Sequence, residues 1–116
     1  MRNDKENLIV KLTLEFALEI VEYSELLEEK KKYVIARQLL KSGTSIGANV
    51  REAQNAESKA DFIHKLKIAA KEADETEYWL MLCEMSKTYP QNEYLKEKLL
   101  SIINILSKII STSKAH

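Results

Sequence analysis

The segment SGTSIGANVREA (Ser42–Ala53) contains both glycines of the 116-residue chain, four residues apart, where the sequence otherwise has the pattern of one long helix. Each glycine inside a helix costs about 1 kcal/mol relative to alanine. A pair on one face, Gly43 and Gly47, therefore indicates that another backbone comes too close for a Cβ or that the helix bends there. We favour close packing. The alternative is a loop over residues 42–49 that splits the helix.

Apolar residues recur at steps of three and four on both sides of this segment and predict four helices. The helix with the glycines has the stripe Ile35, Leu39, Ser42, Ile46, Asn49, Ala53 and Ala56. Alternating steps of four and three are the heptad pattern of a left-handed helical bundle. Equivalent stripes predict helices at residues 4–29, 33–57, 59–87 and 92–112, with a frayed tail at 113–116. The length fits one domain, residues 1–116, so the sequence predicts an all-α four-helix bundle.

Polar residues mark two of the predicted helix starts. Asn3, with Glu6 three residues later, has the capping-box pattern at the start of the first helix. Ser58 followed by Asp61 resembles the start of the third helix. Residues 56–61 could equally form a short turn or a break within a helical hairpin.

The composition supports helices joined by short connections, because the chain has only two glycines and one proline. The proline lies in the run Tyr89–Asn92, which separates the last two helices and offers Gln91 or Asn92 as a cap. The one cysteine, Cys83, cannot form an internal disulfide, and no segment has the pattern of a signal peptide. We therefore expect a cytoplasmic protein. Polar residues interrupt the longest apolar run, residues 99–110, so we predict no membrane span.

Charge is unevenly distributed although the net charge is zero. Residues 1–29 carry three basic and eight acidic side chains, whereas residues 30–67 carry nine basic and three acidic ones. Oppositely charged neighbouring helices could complement each other at their exposed edges, which is the interpretation we favour. The alternative is a basic surface that binds nucleic-acid phosphate. Its residues would be Lys30, Lys31, Lys32, Arg37, Lys41 and Arg51.

Small residues also occur in the middle of the third helix, where Ala70 and Ala73 follow Ala69. If the second and third helices are antiparallel about the turn near residue 58, these alanines lie near the level of Gly43 and Gly47. The sequence therefore predicts close packing between these two helices.

No pattern in the sequence supports a catalytic, cofactor or metal site. HExxH, paired CxxC, Walker and GxGxxG motifs do not occur, and His64 and Cys83 are expected to have structural or solvent-exposed roles. Six polar residues on the helix stripes are expected to form a network that determines helix register. They are Ser42, Ser45, Asn49, Glu52, Thr76 and Glu77. The alternatives are ligand or partner binding, or an active site made from Asn49, Glu52 and Glu77.

The last helix has more apolar residues than one buried stripe requires. Leu100, Ile103 and Ile110 lie outside the stripe that begins at Leu95, so one side could face the bundle and the other a partner subunit. Trp79 is a further candidate for a subunit contact, because tryptophan often anchors interfaces.

Two motifs carry a family resemblance. The first, S-x-x-S-I-x-A-N-x-x-E, begins at Ser42, and the second, E-x-x-E-T-x-Y-W-L, begins at Glu72. With these motifs the chain resembles the four-helix-bundle proteins encoded in intervening sequences of bacterial 23S ribosomal RNA genes. The resemblance implies an up-down-up-down antiparallel bundle, subunits that form a ring of five, and no established enzymatic activity. It also implies a relationship to the accessory protein of diversity-generating retroelements, which binds nucleic acid and a reverse transcriptase through a basic surface.

The sequence thus leads to two hypotheses. The first is a non-enzymatic homo-oligomer, a pentamer, that acts as a scaffold or interaction protein for a protein partner. The second is an RNA- or DNA-binding assembly that uses the basic surface of the second helix.

Overall fold

The structure, a computed structural model, describes the backbone of residues 4–116 and the side chains of residues 8–116. It contains four helices: α1 (Asp4–Glu29), α2 (Tyr33–Ala53), α3 (Lys59–Met85) and α4 (Glu93–Ala115). No strand occurs within residues 4–116, so the predicted all-α class is confirmed. The predicted capping box of Asn3 and Glu6 lies outside the side chains that the structure describes.

The helix containing both glycines is continuous from Tyr33 to Ala53. The alternative of a loop over residues 42–49 is therefore wrong. Neither Gly43 nor Gly47 has a positive φ, so their function in the fold is not to provide a left-handed turn. The glycines are needed instead because a Cβ at either position would be too close to a neighbouring helix.

Side chains cap two of the helices. The Ser58 hydroxyl accepts a hydrogen bond from the Asp61 N–H at 3.0 Å, and the Asp61 carboxylate accepts one from the Glu57 N–H at 3.3 Å. Asn92, rather than Gln91, caps α4, because its Oδ1 accepts hydrogen bonds from the N–H groups of Tyr94 and Leu95. These caps satisfy backbone donors that have no partner within the helix.

Two helix ends differ most from the prediction. The second helix ends at Ala53 rather than near residue 57, because Gln54, Asn55 and Ala56 form tight turns to carbonyls three residues earlier. Ala56 therefore lies outside the helix on whose stripe it was predicted. The last helix continues to Ala115, through most of the stretch predicted to fray. The positive charge of Lys114 in its last turn stabilises the helix, because that end of the helix dipole is negative.

A left-handed residue connects α1 to α2. Lys31 has a φ of 64°. The Lys32 N–H donates to the Leu27 carbonyl and the Lys31 N–H donates to the Glu28 carbonyl, both at 2.8 Å. This is the Schellman pattern, in which the left-handed position is usually glycine.

The four helices pack in a cycle in which α1 contacts α2, α2 contacts α3, α3 contacts α4 and α4 contacts α1. Within the described residues, neither diagonal pair is in contact. The α1–α2 side of the molecule is therefore opposite the α3–α4 side. The stripe predicted for α4 is completely buried: Leu95, Leu99, Ile102, Leu106 and Ile109. In the described part of the chain, no helix combines the length and the apolar character needed to cross a membrane.

Candidate functional site

The glycines lie where α2 meets α1. A Cβ on Gly43 would be 2.8 Å from Ile20 Cγ2, and a Cβ on Gly47 would be 3.1 Å from the carbonyl oxygen of Thr13. Both distances are shorter than ordinary carbon contacts. The two glycines therefore allow a close approach of α1 and α2.

The predicted partner of this close approach was wrong. The nearest atoms to both glycines belong to α1, not to Ala70 and Ala73 of α3. Ala73 is in the core and Ala70 is half-buried. The physical reason is the 100° rotation between successive helix residues: Ser42 points to α3, so its neighbour Gly43 points to α1.

Thr13 is a buried polar residue that the sequence analysis missed. Its hydroxyl donates to the Ile9 carbonyl at 2.7 Å, so the side chain is satisfied within its own helix. The missed signal was the spacing, because Thr13 stands four residues after Ile9 and three before Phe16. Those are the steps of the core stripe.

One pair of the predicted polar network is buried between helices. The hydroxyl of Thr76 lies 2.9 Å from Ser42 Oγ and 2.7 Å from the carbonyl oxygen of Glu72. Thr76 and Ser42 are both fully buried. This pair joins α2 to α3 and satisfies both hydroxyl groups.

The other four predicted members do not join this pair. Ser45 donates to the Lys41 carbonyl and Asn49 donates to the Ser45 carbonyl, so each is satisfied by its own helix. Glu52 forms an exposed ion pair with Lys65 of α3 at 3.0 Å. Glu77 is half-buried and forms no hydrogen bond or ion pair with the described residues. The six-residue network is therefore wrong, because the helix backbone and the surface provide nearer partners.

The basic residues of the predicted phosphate surface separate into two groups. Lys30 and Lys31 are exposed at the turn, and the Lys32 ammonium is 5.1 Å from the Tyr89 ring centre in the α3–α4 connection. The second group follows the outer side of α2 at alternating steps of four and three. Its stripe is Arg37, Lys41, Thr44, Ala48 and Arg51.

This stripe borders an apolar groove between α1 and α2. The groove has a volume of about 180 Å³, and its lining includes Val10, Leu14 and Ala17 from α1 and Ala48 and Arg51 from α2. On the same side, Leu14, Leu18 and Leu40 are exposed by 56%, 59% and 40%. We call this surface, with Arg37 and Lys41, the basic face.

Acidic residues of α1 are on its other side along this part of the helix. Glu15 and Glu19 line the groove towards α4, where Glu19 forms an ion pair with Lys98 at 2.6 Å. They are the only acidic residues between Val10 and Val21. Over that length the α1 edge of the basic face thus has no acidic side chain, whereas Arg37 and Lys41 lie at the level of α1 residues that follow Ile20.

One pocket on the α3–α4 side has mostly acidic charged residues. An open pocket of about 360 Å³ is lined by Glu84, Glu93, Glu97, Lys96, Gln91, Asn92 and Leu100. Leu100 is 44% exposed, and Met81 of α3 is exposed by 42%. We call this surface the acidic face. Glu84 forms an ion pair with Lys96 at 3.6 Å.

The predicted subunit contacts do not form one patch. Leu100, Ile103 and Ile110 follow one stripe on α4, with the last two half-buried against the core. Trp79 is half-buried one turn after Thr76, on the side of α3 that faces α2. The centres of the Trp79 and Tyr78 rings are 5.2 Å apart. The Trp79 Nε1–H is buried and has no hydrogen-bond partner within the described residues.

The thiol of Cys83 is buried. Burial raises the pKa of the Cys83 thiol and the pKa of the Tyr23 hydroxyl, which donates a 2.6 Å hydrogen bond to the Pro90 carbonyl. A buried neutral thiol is a weak nucleophile. Among the described residues, no three histidine, cysteine or carboxylate side chains are close enough to hold a metal ion.

These features define a small all-α protein whose helix contacts use small and polar residues for packing. The chain belongs to the 23S rRNA-intervening sequence protein family, whose sequence pattern matches residues 5–112. The resemblance seen in the sequence is therefore confirmed. Comparison with curated proteins finds no match.

A solved structure supports the same assignment. The chain is similar to a protein of unknown function from the S23 ribosomal protein family of Bacteroides thetaiotaomicron, with a TM-score of 0.85 and 46% sequence identity. The similarity covers 92% of this chain and 98% of that chain.

Proposed function

We propose that this protein is a non-enzymatic homo-oligomer, a ring of five subunits, that acts as a scaffold or interaction protein in the cytoplasm. The observation that carries the proposal is the basic face, where Leu14, Leu18 and Leu40 are exposed beside an apolar groove. Clusters of exposed leucines are uncommon on monomers and mark interaction surfaces. The buried hydroxyl groups of Thr13, Ser42 and Thr76 have structural partners, which supports a non-catalytic role.

An up-down-up-down order of the helices is part of this proposal. Residue pairs at helix contacts support this order. Gly43 faces Ile20 and Gly47 faces Thr13, so α1 and α2 run antiparallel. Likewise, Ser42 meets Thr76 while Glu52 meets Lys65. Such an arrangement suits the short connections between helices.

Nucleic-acid binding is the second candidate function. Residues 30–51 contain no acidic residue, and Arg37, Lys41 and Arg51 are exposed along one side of α2. A surface of this kind binds phosphate by releasing counterions, so its affinity falls steeply with salt. An interface based on leucine is much less sensitive to salt.

The experiment is the absolute mass in solution by light scattering, at low and high salt, with and without a generic RNA. The scaffold predicts an oligomer that persists at high salt and does not gain mass with RNA. A gain of mass with RNA at low salt only would favour the nucleic-acid alternative. A monomer under all conditions would contradict the oligomer.

A further inference from the structure

The basic and acidic faces are on opposite sides of the molecule. The basic face belongs to α1 and α2 and the acidic face to α3 and α4, and the helix contacts follow the cycle α1, α2, α3, α4. A surface on one side and its complement on the opposite side cannot meet within one chain. They can meet between two copies.

The two faces are complementary in charge. Arg37 and Lys41 on the basic face form no ion pair with the described residues, and neither do Glu93 and Glu97 on the acidic face. Among the residues whose side chains are described, each face therefore presents charges without partners. Opposite charges across an interface steer association and determine register, although each exposed pair contributes little energy.

The two faces are also complementary in their apolar parts. The basic face has a groove between two helices, flanked by exposed leucines. The acidic face presents the exposed side chain of Leu100 in the same pocket as its carboxylates. Apolar burial supplies the energy of such a contact, and the charged rim selects the orientation.

From these observations we infer that the acidic face of one copy docks on the basic face of the next copy. This inference rests on the proposed function and identifies the two surfaces that form the oligomer. The contact is heterologous, because each copy uses two different surfaces, and such contacts form closed rings when the rotation between copies permits closure. Docking also covers Arg37 and Lys41, which leaves them unavailable to nucleic acid.

Charge reversal tests the inference. We expect Arg37→Glu with Lys41→Glu, and separately Glu93→Lys with Glu97→Lys, to reduce the mass measured by light scattering from the oligomer to the 13.4 kDa monomer. A chain that carries all four substitutions again presents opposite charges on its two faces, so it should recover the oligomer. Because all four residues are exposed, each variant should keep its helical circular dichroism spectrum.

Matched controls are available on the α1–α4 side. Glu15→Lys and Lys108→Glu reverse exposed charges there, since Glu15 lines that groove and Lys108 stands two turns after Ser101 of the same groove. Both should leave the mass unchanged.

The outcomes separate this inference from the proposed function. If the unaltered chain is an oligomer and the two double variants keep its mass, the pairing of faces is wrong although the homo-oligomer remains. If the double variants dissociate but the fourfold variant does not reassemble, the complementary pairing is also overturned. A monomeric unaltered chain would refute both.

Discussion

The separation of α1 and α2 depends on two positions that have no side chain. Gly43 faces the branched side chain of Ile20, and Gly47 faces the backbone carbonyl of Thr13. Side-chain atoms can shift, whereas a backbone carbonyl can move only with its helix. The two glycines therefore differ in how much change they tolerate.

Gly43→Ala tests this contact. We expect the substitution to lower the free energy of unfolding by roughly 1–2 kcal/mol, because overpacking against Ile20 costs more than the helix propensity that alanine gains. Urea unfolding at a fixed protein concentration measures the change. In an Ile20→Ala background the γ-carbons are absent, so the same substitution should become neutral or stabilising. A stabilising effect in the unaltered chain would contradict the contact.

At the scale of single elements, local hydrogen bonds decide where the helices end. Ser58 and Asn92 cap α3 and α4, and the Schellman turn at Lys31 ends α1. The turn places a lysine where the backbone is left-handed, which is unfavourable for a residue with a Cβ.

Lys31→Gly should therefore stabilise the protein. The expected gain is roughly 0.5–1 kcal/mol, because glycine adopts a positive φ without the Cβ clash. Thermal or urea unfolding measures it. Lys30→Gly is the matched control: its φ is not positive, so this change should be neutral or destabilising. Equal destabilisation by both substitutions would contradict the role of the turn.

Helix periodicity predicts which side of an element is buried but not which neighbour covers it. The stripe from Leu95 to Ile109 is predictable because burial follows the 3.6-residue repeat. The partner of Gly43 depends on the rotation of α2 in the bundle, which one helix alone does not specify. Sequence reasoning assigned the glycines to α3 for that reason. The exposed leucines at 14 and 18 were missed because they lie outside the core stripe of α1, on its outer side.

At the scale of the whole molecule, a net charge of zero conceals two faces of opposite sign. The Arg37 and Lys41 side of α2 has no acidic neighbour on its own helix, and the pocket with Glu93 and Glu97 contains one lysine. A chain with this distribution can associate with copies of itself without accumulating charge. We propose that these two faces pair head to tail in the oligomer.

Thiol cross-linking tests that claim most directly. In a chain with Leu14→Cys on the basic face and Leu100→Cys on the acidic face, a bismaleimide should produce a ladder of covalent oligomers on a denaturing gel. Native Cys83 is buried, so it should not contribute. Each single variant should run as a monomer on the denaturing gel, and an equal mixture of the two single variants should give covalent dimers only. Cross-linked dimers from a single variant, or no ladder from the double variant, would contradict head-to-tail pairing.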